Sequence, residues 1–208
     1  MDEKGVMLGV AGKVAVIIPK TEKNPHTSTG SGNRDWATST ECCSLTGCLL
    51  PSWTIFKGKL NLEKWHKTME RIGLSDSGYH ICTSENGWTD NELGVAYFEE
   101  HFEPHTRSTL KGEYRILVVD SHDSHITTQA LQFCIRNKII LLCLPPHTTY
   151  MLQLLDIGVF GPVALVYKGM ITERYTFGSL YNIDKCAFLE IWHTAREKAI
   201  TTSNIISV

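Results

Sequence analysis

The sequence predicts an α/β fold, and three observations carry that expectation. Arg115–Asp120 (RILVVD) reads as a buried strand, Thr127–Asn137 as a helix and Ile139–Pro146 (IILLCLPP) as a second apolar strand. Strand, helix and strand alternating in this way is the pattern of a parallel unit. Asp184–Ile200 places Phe188, Ile191, Trp192 and Ala195 on one helical face, an amphipathic helix suited to covering a sheet. Trp36–Cys43 and Cys48–Phe56 are two further strands joined by SLTG, whose Gly47 suits a hairpin turn.

In chain order, VAVII (Val14–Ile18) has the β-branched content of a strand, and residues 20–35 read as a mobile polar loop containing Pro25, Gly30 and Gly32. Leu60–Ile72 has helical spacing at Leu62, Trp65, Met69 and Ile72. Tyr79–Thr83 reads as a short strand. Thr89 or Asp90 then caps a helix running to about Phe102, with Leu93, Ala96 and Tyr97 on one face. From Asp76 to Pro104 there are seven acidic residues and no Lys or Arg, which reads as a solvated helix face. Leu155–Ile171 is helical in pattern although Gly158, Gly161 and Pro162 interrupt it.

Composition bounds the function loosely. The chain has 208 residues, 42% hydrophobic and 20% charged, with a net charge of −2, so bulk charge gives no argument for nucleic acid but permits a locally basic groove. No run reaches the roughly 18 apolar residues of a membrane span. Met1 is followed by Asp2, Glu3 and Lys4, unlike a secretory signal. Seven cysteines, an odd number, with Cys134 and Cys143 inside apolar elements, point to reduced thiols. Cys42, Cys43 and Cys48 lack the paired spacing of a structural zinc site.

The chemistry concentrates in three carboxylates. Asp2, Asp120 and Asp156 each adjoin an apolar stretch, and the 35 residues between the last two suffice for one excursion and a return to the same sheet edge. Carboxylates converging at a sheet edge can hold Mg²⁺ or Mn²⁺, which activate a hydroxyl oxygen and stabilise a departing alkoxide. From spacing alone the pattern is weak, because an Asp after a strand is often just a helix cap. In the turn SHDSH, His122 and His125 either support the neighbouring carboxylate or bond backbone carbonyls. Pro145 and Pro146 end the strand and redirect the chain towards Asp156.

Several motifs together resemble a known family. MDEKG (Met1–Gly5), RDW (Arg34–Trp36), FKGK (Phe56–Lys59), SENGWTDNE (Ser84–Glu92), LVVDSHDSH (Leu117–His125), LPPHTTYMLQLLDIGVFGP (Leu144–Pro162) and the late AREKAIT occur in the expected order. They are similar to the DDE superfamily endonuclease domain, and within it to fungal transposases of the pogo, Tigger and jerky type. The likeness departs from the family pattern at Ser121, Tyr150 and Leu154. It implies an RNase H-like mixed sheet of five strands flanked by helices, spanning residues 1–208 as one domain. That domain would be incomplete at both ends, with its first strand largely missing and Asp2 at a frayed terminus.

The resemblance further implies that Asp2, Asp120 and Asp156 bind Mg²⁺ or Mn²⁺ and cut and rejoin DNA, both transposon ends and target. Lys57, Lys59, Lys168 and Arg174 are the expected phosphate contacts. A nuclear location follows, and a homodimer stays open. The alternative is a domesticated nuclear DNA-binding or chromatin protein that keeps the fold and has lost catalysis.

Overall fold

The computed structural model describes residues 1–8, 35–109, 112–120, 126–145, 155–177 and 183–206. Four strands form a mixed sheet in spatial order: β1 (Asp2–Met7), β2 (Trp36–Glu41), β3 (Trp53–Lys57) and β4 (His80–Ser84). The pairs β1–β2 and β2–β3 are antiparallel, and β3–β4 is parallel. Helix α1 (Glu63–Arg71) connects β3 to β4. After β4 come α2 (Asn91–Ala96), a wider π-turn at Tyr97–Phe102 and α3 (Glu103–Arg107).

Strands β5 (Arg115–Val119) and β6 (Ile139–Cys143) pair in parallel, joined by α4 (Thr128–Arg136). A second π-turn, Asp156–Phe160, opens α5 (Gly161–Phe177), followed by α6 (Lys185–Ala199) and α7 (Thr202–Ile206). The expected α/β class, a mixed sheet flanked by helices, is therefore present. Among the described residues there are four strands plus a parallel pair instead of one five-stranded sheet.

Local chemistry explains most boundaries. Asp90, Thr127 and Asp184 cap their helices, accepting the backbone N–H of Leu93 at 2.9 Å, Ala130 at 3.1 Å and Ala187 at 2.9 Å. The hairpin turn closes where Ser44 N–H donates to the Cys48 carbonyl and Gly47 takes φ +85°. The following strand begins at Trp53, later than the expected Cys48, because Pro51 offers no N–H to a ladder. Helix α5 runs through Pro162 and on to Phe177, past the expected Ile171.

RILVVD is not buried throughout. Leu117 and Val119 face inward, whereas Ile116 and Val118 are exposed. The acidic stretch is solvated at Glu92, Glu99 and Glu100, but Glu103 turns in and pairs with Arg115 at 3.4 Å.

Two apolar clusters sandwich the strands. On one face Phe56, Trp65, Phe160, Val163, Phe188 and Trp192 join the first sheet to α1, α5 and α6. On the other, Trp53, Ile55, Phe98, Leu117, Val119 and Ala130 span both sheets and the helices over them. All seven cysteines are free thiols. The proposed strand at Val14–Ile18 and the loop at 20–34 lie outside the described residues.

A buried polar network ties α6 to β2. Arg196 donates from Nε and Nη2 to both Glu41 carboxylate oxygens at 2.6–2.9 Å, from Nη2 to the Leu50 carbonyl at 2.8 Å, and from Nη1 to the Tyr79 hydroxyl. Ser39 donates to Glu41 at 2.8 Å and accepts the Trp192 indole N–H at 2.9 Å. Burial alone would lower the pKa of Arg196, but Glu41 and Tyr79 outweigh it and hold the guanidinium charged.

Candidate metal centre

Asp2 does not fray. It opens β1 opposite Glu41, is only 6% exposed, and its neighbour Met1 donates from its terminal nitrogen to the Val118 carbonyl at 2.8 Å. That bond brings the start of β1 to the end of β5, where Asp120 follows Val119. Asp156 arrives from the other side as the first residue of the π-turn, anchored by Val159 and Phe160 in the core. Three carboxylates distant in sequence thus become electrostatic neighbours.

Their proximity is recorded in the proton affinity of Asp2. Burial pushes its carboxyl up from 3.8 to about 7; the Glu3 N–H, donating at 2.7 Å, opposes this, and Asp156 and then Asp120 add to the rise. Asp2 Oδ2 is buried without a hydrogen-bond partner. A buried acceptor left bare costs about 1–3 kcal/mol, more if charged, and calls for a specific explanation. A hard divalent cation is the partner that carboxylate oxygens at a strand edge fit best.

The donor chemistry therefore suits Mg²⁺ or Mn²⁺, although the acids do not form a closed ligand set. Among the described residues no three His, Cys, Asp or Glu side chains lie close enough together to hold an ion. Lys4 explains part of this, because its Nζ sits 3.5 Å from Asp156 Oδ1.

Lys4 is the participant that the sequence reading missed. In a strand, residues i and i+2 share a face, so MDEKG places Lys4 beside Asp2, a signal available from the motif itself. Gly5 has a different task. A Cβ there would lie 2.5 Å from the Trp88 ring, which packs over β1 and meets Trp36 at 6.1 Å between centroids. The motif glycine is thus a close-approach residue. Glu3 accepts the Thr89 hydroxyl at 2.6 Å, tying the same strand to the NGWTD loop.

The other expected site residues are scattered. His122 and His125 lie outside the described residues. Lys57 and Lys59 are exposed at the end of β3, and Lys59 is 3.9 Å from Glu85. Lys64 and Lys185 add positive charge near Lys57. Lys168 is exposed and, with Lys4, lines a cleft between β1 and α5. Arg174 lies 3.7 Å from Glu190, which also pairs with Arg71.

Comparison with known proteins identifies the family. Residues 33–208 match the DDE superfamily endonuclease family, a stretch holding Asp120 and Asp156 while Asp2 precedes it. The chain is also 31% identical over 206 residues to the protein named MFS-type transporter clz9 of Cochliobolus lunatus. That match covers 99% of this chain and 22% of the relative, so the chain spans about a fifth of that protein's length. No solved structure matches. Among the described residues no helix is long and apolar enough to cross a membrane. With the match extending over most of its length, the chain belongs to the DDE superfamily endonuclease family.

Proposed function

We propose that this chain is the catalytic domain of a metal-dependent DNA endonuclease and strand-transfer enzyme of the pogo–Tigger–jerky type, acting in the nucleus on transposon ends and target DNA. Asp2, Asp120 and Asp156 would hold Mg²⁺ or Mn²⁺, and the ion would supply a polarised phosphodiester and a stabilised leaving oxygen. The chain's own part is to fix the acids on rigid elements: β1 pinned to β2, the end of β5, and the head of α5. The observation that carries this reading is the buried, unpartnered Oδ2 of Asp2 beside two further carboxylates.

Lys57, Lys59 and Lys168 remain the proposed phosphate contacts; such contacts position DNA without reading its sequence. The transporter name of the Cochliobolus lunatus protein is not carried over, because the match covers only 22% of that protein.

The test is nicking of plasmid DNA by the purified chain with Mn²⁺. Asp120→Ala and Asp156→Ala should each abolish metal-dependent nicking while leaving gel-shift binding intact. Unchanged nicking in Asp120→Ala overturns the assignment. A second reading, a chromatin-associated DNA-binding protein without cleavage, draws on the Lys4–Asp156 ion pair, which keeps the third acid engaged. Gel-shift binding with no metal-dependent nicking by the unsubstituted chain would favour it.

A further inference from the structure

Lys4 occupies an unusual position. Its ammonium reaches Asp156 Oδ1 at 3.5 Å and lies 5.4 Å from the centroid of the Phe160 ring, yet its side chain is 39% exposed and that of Asp156 34%. A half-exposed ammonium–carboxylate pair at this separation is weak. It satisfies the carboxylate and can still be exchanged. The same residue lines the cleft between β1 and α5, whose apolar surface comes from Val6, Met7 and Ala164 and whose second cation is Lys168. Lys4 therefore has two anionic destinations: Asp156, and a phosphate brought into the cleft.

On the metal-dependent nuclease reading above, we propose that Lys4 is a positioning residue that exchanges Asp156 for a DNA phosphate, so that substrate binding releases the third acid to the metal. Without DNA, the ammonium neutralises Asp156 and opposes a cation between the acids. With a phosphate in the cleft, Lys4 finds a charge-assisted contact there and Asp156 is freed. Metal and DNA affinity then become coupled, and by linkage each strengthens the other by the same factor. Such coupling limits a charged, cutting-competent centre to the DNA-bound protein.

The test is titration with Mn²⁺, read by electron paramagnetic resonance, without and with short duplex DNA, correcting for ion bound by the DNA alone. Unsubstituted protein should bind Mn²⁺ about tenfold more tightly when DNA is present, within the usual range of such coupling. Lys4→Met keeps the aliphatic stem over Phe160 and should bind the ion about tenfold more tightly without DNA, gaining nothing further from it. Lys4→Arg should behave as the unsubstituted chain. In an Asp156→Asn background the effect of Lys4→Met should vanish.

Equal Mn²⁺ affinity for the unsubstituted chain and Lys4→Met without DNA overturns the exchange and leaves the metal reading standing. Absence of Mn²⁺ binding by both proteins, with and without DNA, overturns the metal reading itself and the exchange with it.

Discussion

Asp2→Asn should stabilise the metal-free protein at alkaline pH, at the expense of the proposed chemistry. The Asp2 carboxyl is raised from 3.8 to about 7 by burial, with Asp156 and Asp120 contributing. A group whose folded pKa is raised contributes stability that is fully present below the unfolded value and is lost as pH rises through the folded one. Here the loss runs from about pH 4 to beyond pH 7. A shift of this size corresponds to about 4 kcal/mol as an upper limit, since each pKa unit is worth about 1.4 kcal/mol. Local relaxation around a strand end should leave roughly half of it, about 2 kcal/mol.

An Asn at position 2 keeps an oxygen for the Glu3 N–H and removes the ionised form. Urea unfolding in EDTA should therefore show Asp2→Asn more stable by about 2 kcal/mol at pH 8.5, and within about 0.5 kcal/mol of the unsubstituted chain at pH 4. Saturating Mn²⁺ should reverse the order at pH 8.5. Binding to the native state alone adds about 2.7 kcal/mol at a hundredfold excess over Kd, and the Asn variant would lack a ligand. An equal gain at both pH values, or none at pH 8.5, would refute the claim that ionisation of Asp2 strains the fold.

Three other outcomes follow from named contacts. His101 is buried and donates from Nε2 to the Pro51 carbonyl at 2.8 Å; burial, with His105, His80 and Arg196 adding, lowers its pKa to about 4. Its contribution is complete above pH 6.5 and is lost as pH falls towards 4, about 3 kcal/mol at most, so His101→Asn should flatten the acid limb of a stability–pH curve. Arg196→Met leaves Glu41 buried and unpaired and should cost about 3–5 kcal/mol in urea unfolding, whereas adding Glu41→Gln should recover much of that. Gly5→Ala drives a methyl to within 2.5 Å of the Trp88 ring and should cost about 1–3 kcal/mol, with a change in tryptophan emission as the ring moves.

What the sequence disclosed depended on how far apart the interacting residues are. The parallel unit was legible because β5, α4 and β6 follow one another and each carries its own period and cap. The amphipathic face of α6 was legible for the same reason. The two π-turns were not, since a wider helical turn leaves no distinct spacing in a short apolar run. Lys4 could have been found from the two-residue period of MDEKG, but only once that segment was read as a paired strand instead of a frayed end. Arg196 could not. Glu41 lies 155 residues earlier, and nothing in AREKAIT distinguishes a buried guanidinium from a solvated one.

That least legible contact bears directly on the candidate centre. Glu41 is the register partner of Asp2 in the β1–β2 ladder, so their side chains emerge on the same face. Two carboxylates opposite one another in a sheet repel, the more strongly when buried. Arg196 absorbs the charge of Glu41 through both of its oxygens, whereas Oδ2 of Asp2 on the same rung makes no hydrogen bond. The network thus separates two tasks. One carboxylate is spent on fastening α6 to the sheet, and its neighbour is kept bare at the strand end. Arg196→Met should accordingly do more than destabilise: it should raise the Asp2 proton affinity further and weaken Mn²⁺ binding at neutral pH, although Arg196 never reaches the ion's place. Mn²⁺ affinity unchanged in Arg196→Met, in protein shown to be folded, would mean that the two rungs act independently.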